Sequence, residues 1–264
     1  MSSLERSKDE GDDGGIEEAR GFCHMNDRGS QTAFALEIGG HLLEVRQDPS
    51  CEHKDLGHGA VVWDAAIIFA KYLEIDKQFS GAKMQDKRVV ELGSGTGLAG
   101  FSLMLKGAHC TLTDLAPVVE HMTAPNAKAV FAKVGSSGSS SVRMHRPTTE
   151  VCDWTQTYPA PEQPYDVVLL TDCIFSPHLA QPLVSQLLRL TGPASTVLCC
   201  HEIRDEEANA AFVAELAEHF QVKTIANKKL HPDFRNDQVQ LLQARPKRVR
   251  GGTDKNPKEA EGAT

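Results

Sequence analysis

RVVELGSGTG, Arg88 to Gly97, is the stretch that decides the fold. An aliphatic, β-branched run from Arg88 to Leu92 meets Gly93, Gly95 and Gly97, and the apolar helical pattern TGLAGFSLMLKGA follows at once. Strand, tight turn and helix start, in that order, leave open backbone N–H groups beside a turn with few side chains, so a ligand can approach the main chain closely. The spacing G-x-G-x-x-G of a dinucleotide fingerprint can also be traced at Gly95, Gly97 and Gly100. Register argues against it: the strand ends at Leu92, the first turn glycine is Gly93, and the third glycine of that fingerprint would fall on Leu98.

Outward from this turn the chain alternates β-rich and helical runs: strand 88–92, helix 96–106, strand 109–113, helix 115–132, strands 142–145 and 166–171, helix 178–190, strand 195–200 and helix 204–219. Such alternation predicts an α/β fold, a doubly wound, mostly parallel sheet with helices on both faces. Phe220 to Ile225 and Gln238 to Gln243 have no helical pattern between them and should pair as an antiparallel hairpin at one edge. Five parallel strands and this terminal pair give a seven-stranded, Rossmann-like plan. On the N-terminal side, Val61 to Glu74 spaces Val62, Ala66, Phe69, Ala70 and Leu73 at helical intervals, with polar Asp64, Lys71 and Glu74 elsewhere. Before it, Phe34 to Ile38 and Leu42 to Arg46 flank Gly39-Gly40, which predicts an N-terminal β-hairpin.

A chain of 264 residues, 40% apolar, suits one such domain, here residues 31–245. An acidic, Gly- and Ser-rich tail over 1–30 and a basic, then polar, tail over 246–264 lack the apolar content to order themselves, and GSSGSSS at 135–141 reads as a flexible loop. The net charge of −8 offers no basic footprint, so neither nucleic acid nor membrane is expected as a partner, and a monomer is expected. Without a long apolar run or an apolar N-terminus, the chain reads as soluble and cytoplasmic. Arg245 to Arg250 is either a solvated charge run or a nuclear address. Seven irregularly spaced cysteines fit reduced thiols in the core. Cys51, His53 and His58 lack the further pair that would complete a tetrahedral set, so no metal is expected there.

The strand HCTLTD ends in Asp114, 21 residues after Gly93, where a carboxylate can accept both hydroxyls of a ribose or simply cap the next helix. The pattern acid-x-G-x-G-x-G, Glu91 to Gly97, resembles motif I of S-adenosylmethionine methyltransferases. Together VVWDAAIIFAKYLE, VVELGSGTGLAG, LTD, Asp153-Trp154 and LLTDCIF resemble the methyltransferase-like family of seven-β-strand protein lysine methyltransferases, whose members include enzymes acting on seventy-kilodalton heat-shock chaperones and on valosin-containing protein. The resemblance spans about residues 33 to 243.

It implies S-adenosylmethionine as cofactor and a protein lysine, on a chaperone or ATPase by analogy, as acceptor. By position, Trp63 flanks the cofactor, Glu91, Gly93, Ser94, Gly95 and Gly97 form its loop, Asp114 holds the ribose, Trp154 lies near the adenine and Thr171 adds a contact. Asp172 would orient the lysine amine. The family's Asp-x-x-Tyr is here Asp172-Cys173-Ile174-Phe175, which keeps an aromatic wall without its hydroxyl, so the number of methyl groups added stays open. Glu202 and Arg204 stand either near the cleft or on ordinary surface. Two other readings remain: a small-molecule methyltransferase, since fold and cofactor do not name the acceptor, and a weakly catalytic, cofactor-binding interaction protein.

Overall fold

The computed structural model describes residues 30–50, 53, 55–135 and 142–248. The expectations for the two tails and for the 135–141 loop fall, apart from their ends, outside these residues. Among the described residues a separate hairpin of β1 (Ala33–Ile38) and β2 (His41–Arg46) precedes a seven-stranded sheet. That sheet comprises β3 (Arg88–Leu92), β4 (His109–Asp114), β5 (Thr148–Val151), β6 (Tyr165–Thr171), β7 (Thr191–Glu202), β8 (Phe220–Thr224) and β9 (Val239–Pro246), in the order β5-β4-β3-β6-β7-β9-β8. Five helices of seven residues or more pack on it: α1 (Asp64–Ile75), α2 (Leu98–Met104), α3 (Ala124–Gly135), α4 (Ala180–Leu190) and α5 (Glu206–His219). None is long and apolar enough to cross a membrane.

The doubly wound plan is therefore present, with a refinement at its edge. β3 to β7 pair in parallel, and β9 runs antiparallel to both β7 and β8, so β9 alone is reversed. Alternation along β6 explains the burial: Val167 and Leu169 enter one apolar cluster with α1 and α2, while Val168 and Leu170 enter the other with α4 and α5. The five described cysteines, Cys110, Cys152, Cys173, Cys199 and Cys200, are free and buried.

Three expectations need correction. The strand expected at 142–145 lies instead at Thr148–Val151. The backbone of Arg143 is taken by a side chain, since its N–H donates to Gln85 Oε1 at 3.3 Å and its carbonyl accepts from Gln85 Nε2 at 3.1 Å. Helix α1 shows no exposed polar face: Lys71 is buried, its Nζ donating to the Glu37 carbonyl at 2.5 Å and to Glu74 Oε2 at 3.0 Å, because the β1–β2 hairpin covers that side. Gly39 and Gly40 turn this hairpin with φ of 57° and 79°, as a type I′ turn requires.

The single helix expected over 115–132 is interrupted. One α turn, Ala116–Val118, passes into a π turn, Val119–Thr123, before α3 begins. Pro125 lies just inside α3, where its ring would crowd the carbonyl of His121 in a regular helix, and the wider turn relieves that clash. The freed His121 carbonyl accepts from Arg46 Nη2 at 2.9 Å. The same turn aims Thr123 Oγ1 at the Gly95 carbonyl, to which it donates at 2.7 Å.

Asn126, one residue further, stitches the hairpin to the glycine loop. Its Oδ1 accepts from the Arg46 N–H at 2.8 Å, and its Nδ2 donates to the carbonyls of Arg46 and Thr96 at 3.1 and 3.2 Å. Replacing Asn126 by Ala removes three hydrogen bonds, one of them fully buried, and is expected to cost about 2 kcal/mol of stability, read as a lower denaturant midpoint at an unchanged slope.

Candidate active site

In an open α/β sheet, ligands bind beyond the carboxyl ends of the strands where the strand order reverses. Here that reversal lies between β3, which leads outward to β4, and β6, which leads the other way to β7. The glycine turn follows β3 and Asp172 follows β6, so the two flank the reversal point. A cavity of about 490 Å³ opens there. Of the residues singled out in the sequence, Trp63, Glu91, Gly93, Ser94, Gly95, Asp114, Trp154, Thr171, Asp172 and Phe175 line it.

Gly97 does not. It caps α2 in a left-handed conformation, φ 89°, and a Cβ there would meet Phe101 at 2.7 Å, so its role is to turn the chain. Gly93, at φ 65°, is a point of close approach, because a Cβ would come within 2.8 Å of both Cys173 Sγ and the Trp154 ring. Glu91 reaches the cavity wall, but both its oxygens are engaged by the protein. Oε1 accepts from Thr171 Oγ1 and Oε2 from the Gly100 N–H, each at 2.8 Å. Glu91 and Thr171 thus brace the ends of β3 and β6 against α2. Burial raises the Glu91 pKa to about 7, outweighing the lowering effect of those two bonds.

Asp114 is positioned differently. Its Oδ2 accepts from the Gly95 N–H and its Oδ1 from the Leu115 N–H, both at 2.8 Å, so each oxygen keeps a lone pair for a hydroxyl of a ligand. Burial pushes its pKa up, with the two N–H groups opposing. Two buried polar atoms at this cavity have no partner, Ser94 Oγ and Trp154 Nε1. A cavity lined by residues that carry unpartnered polar atoms, by a carboxylate and by two indoles fits a nucleoside carrying a cationic sulfonium.

Across the cavity, Asp172 adopts φ 57°, unusual for a residue with a side chain. Its N–H donates to the Cys200 carbonyl at 2.8 Å, which holds the turn. Its carboxylate is buried and already paired: Oδ1 accepts from the Glu202 N–H at 3.1 Å and Oδ2 from Arg204 Nη2 at 2.8 Å. Arg204 also donates to Glu202 Oε2 at 2.6 Å, and its guanidinium sits 4.6 Å from the centroid of the Trp63 ring.

Glu202 and Arg204 do not line the cavity themselves, but they touch two residues that do, Asp172 and Trp63. His58, Leu115 and Asp153 also line it. His58 stacks obliquely 5.5 Å from Phe175, and its carbonyl accepts from Trp63 Nε1 at 2.7 Å, whereas the sequence had marked it only as a rejected metal ligand. Cys173 is an unsuitable nucleophile, since burial holds its thiol well above its ordinary range. Of the metal trio set aside above, Cys51 lies outside the described residues, His53 pairs with Asp48 at 3.1 Å, and His58 faces the cleft.

A family model described as lysine methyltransferase matches residues 47–219. The protein N-lysine methyltransferase METTL21A of Danio rerio is 31% identical over 196 residues, covering 74% of this chain and 82% of its own. The EEF1A lysine methyltransferase 3 of Xenopus tropicalis is 33% identical over 178 residues, covering 66% and 72%. Among solved structures, the mitomycin 7-O-methyltransferase MmcR superposes with a TM-score of 0.50 at 16% identity, over 69% of this chain and 54% of that one, a likeness of fold alone.

Folded Glu91 keeps its proton up to about pH 7, whereas the unfolded chain releases it near 4.5. Between those values the folded state binds more protons, so this contribution to stability is complete below the lower value and lost as pH rises through the upper. Glu91→Gln, with no proton to lose there, should therefore gain on the wild type by about 1 kcal/mol per pH unit across that window, as chemical denaturation at stepped pH would show.

Proposed function

The chain belongs to the lysine methyltransferase family, and from that premise we propose how this cleft carries the sulfonium methyl to a lysine ε-amine. The enzyme is an S-adenosylmethionine-dependent protein-lysine methyltransferase, related over most of its length to enzymes of that activity. The observation that carries the residue assignment is the single cavity that joins the glycine turn and Asp114 to Asp172, Trp63 and Phe175. Bound there, S-adenosylmethionine supplies an electrophilic methyl whose thioether leaving group needs no proton.

The protein's work is then to position and desolvate. Asp114 takes the ribose hydroxyls, while Ser94 and Trp154 satisfy their orphaned donors on the rest of the nucleoside. Asp172 and Glu202 carry two negative charges against the one positive charge of Arg204, leaving a net attraction for an arriving ammonium. The lysine meets Asp172 through a charge-assisted hydrogen bond as Arg204 yields part of its pairing, and the aromatic walls of Trp63 and Phe175 favour loss of the amine proton. Phe175 offers no hydroxyl to hold the amine in one orientation, which leaves the nitrogen free to turn between successive transfers. Chaperones and ATPases, the acceptors of the enzymes this chain resembles, are the first proteins to assay, with the enzyme acting as a monomer.

Incubation with methyl-labelled cofactor and cell lysate should label a protein band. A labelled metabolite would instead indicate a small acceptor, and binding without transfer an interaction protein. Asp172→Asn, which keeps the left-handed turn accessible, should lower transfer about tenfold or more with cofactor affinity little changed, the loss of one charge-assisted bond. Undiminished transfer by this variant would remove Asp172 from the acceptor role.

A further inference from the structure

The cofactor cleft occupies the carboxyl ends of the parallel strands; a second cluster of ligating side chains lies at their opposite ends. Asp86 stands two residues before β3, His109 opens β4, and His145 lies three residues before β5. His145 Nε2 is 2.7 Å and His109 Nε2 3.7 Å from the same oxygen, Asp86 Oδ1. The two imidazoles stack with centroids 3.6 Å apart and planes 26° from parallel, and one ligand atom from each of the three residues lies within 4.8 Å of the others.

The carboxylate is held in this place. Asp86 has φ 61°, and its N–H donates to the Gly107 carbonyl at 2.8 Å. Gln85 Nε2 donates to Asp86 Oδ1 at 3.1 Å and at the same time ties down the backbone of Arg143, which brings His145 alongside. A carboxylate fixed by an amide while facing two imidazoles is the arrangement that orients ligands around a metal ion.

We propose that Asp86, His109 and His145 form a binding site for a divalent transition ion of the zinc type, with water completing its coordination, that ties the entry ends of β3 and β4 to the segment leading into β5. The ordinary carboxylate and imidazole ranges already supply an anionic oxygen and neutral ring nitrogens at neutral pH.

The surroundings also select the ion. Arg143 and Arg88 lie close enough to act on His109, and their charges oppose any cation held by electrostatics alone. Magnesium and calcium, which depend on clustered oxygens, are therefore disfavoured, whereas zinc, cobalt and nickel gain from imidazole nitrogen. To share one ion the stacked rings must rotate out of their stack until their in-plane nitrogen lone pairs converge.

The test is calorimetric titration of chelator-stripped, full-length protein with zinc, cobalt or magnesium chloride near neutral pH, together with thermal melts. One equivalent of zinc or cobalt is expected to bind and raise the melting midpoint, and magnesium to do neither. His145→Ala and Asp86→Asn should each lose the equivalent and the rise while circular dichroism shows them folded. Asparagine is chosen because it tolerates the left-handed backbone. The cobalt spectrum should lack a thiolate charge-transfer band, which separates this site from the cysteines. No saturable uptake by the wild type, or uptake that survives His145→Ala, overturns the proposal. Neither outcome depends on methyl transfer.

Discussion

Everything at the cleft depends on one buried carboxyl group. Glu91 bridges the Gly100 N–H of α2 and the Thr171 hydroxyl at the end of β6, and so fixes both lips of the reversal point from within the core. A charge in that position would be costly; the elevated pKa shows how it is managed, with the proton retained until near neutrality. With the lips fixed, Asp114 can hold the Gly95 N–H and still present free lone pairs to the cavity. Glu91 is thus also the frame on which the glycine turn and Asp114 are mounted.

A second frame comes from outside the sheet. Thr123 and Asn126 hold the carbonyls of Gly95 and Thr96, and Asn126 also holds Arg46 of the hairpin. The N-terminal hairpin is therefore coupled to the glycine loop through two side chains of one helical rod. Proline is what makes this possible: the π turn ahead of Pro125 rotates Thr123 onto the loop and releases a carbonyl for Arg46.

The alternation of strands and helices, the glycine turn, the distant Asp114 and the Gly-Gly hairpin were legible in the sequence because each is a local pattern with a local physical cause. What escaped was set by partners far along the chain. The stretch 142–145 has the composition of a strand, yet Gln85, 58 residues earlier, takes its backbone. Lys71 looks like a solvent-facing helix position until the hairpin folds over it. Arg204 could stand near the cleft or on the surface from sequence alone; its place over Trp63 and on Asp172 is a meeting of three separate segments. Pro125 was the one local signal available for the broken helix, and it marks the break to within a turn.

The reversed strand β9 has a consequence for the order in which the molecule can be assembled. β8 is synthesised before β9, yet its only neighbour in the sheet is β9, which inserts between it and β7. Until β9 is added, β7 has an open row of N–H and C=O groups along one side, and β8 has no strand to pair with. Closure of the sheet is a late, interior event, and until then that bare edge is where a nascent chain is most exposed to pairing with the wrong partner.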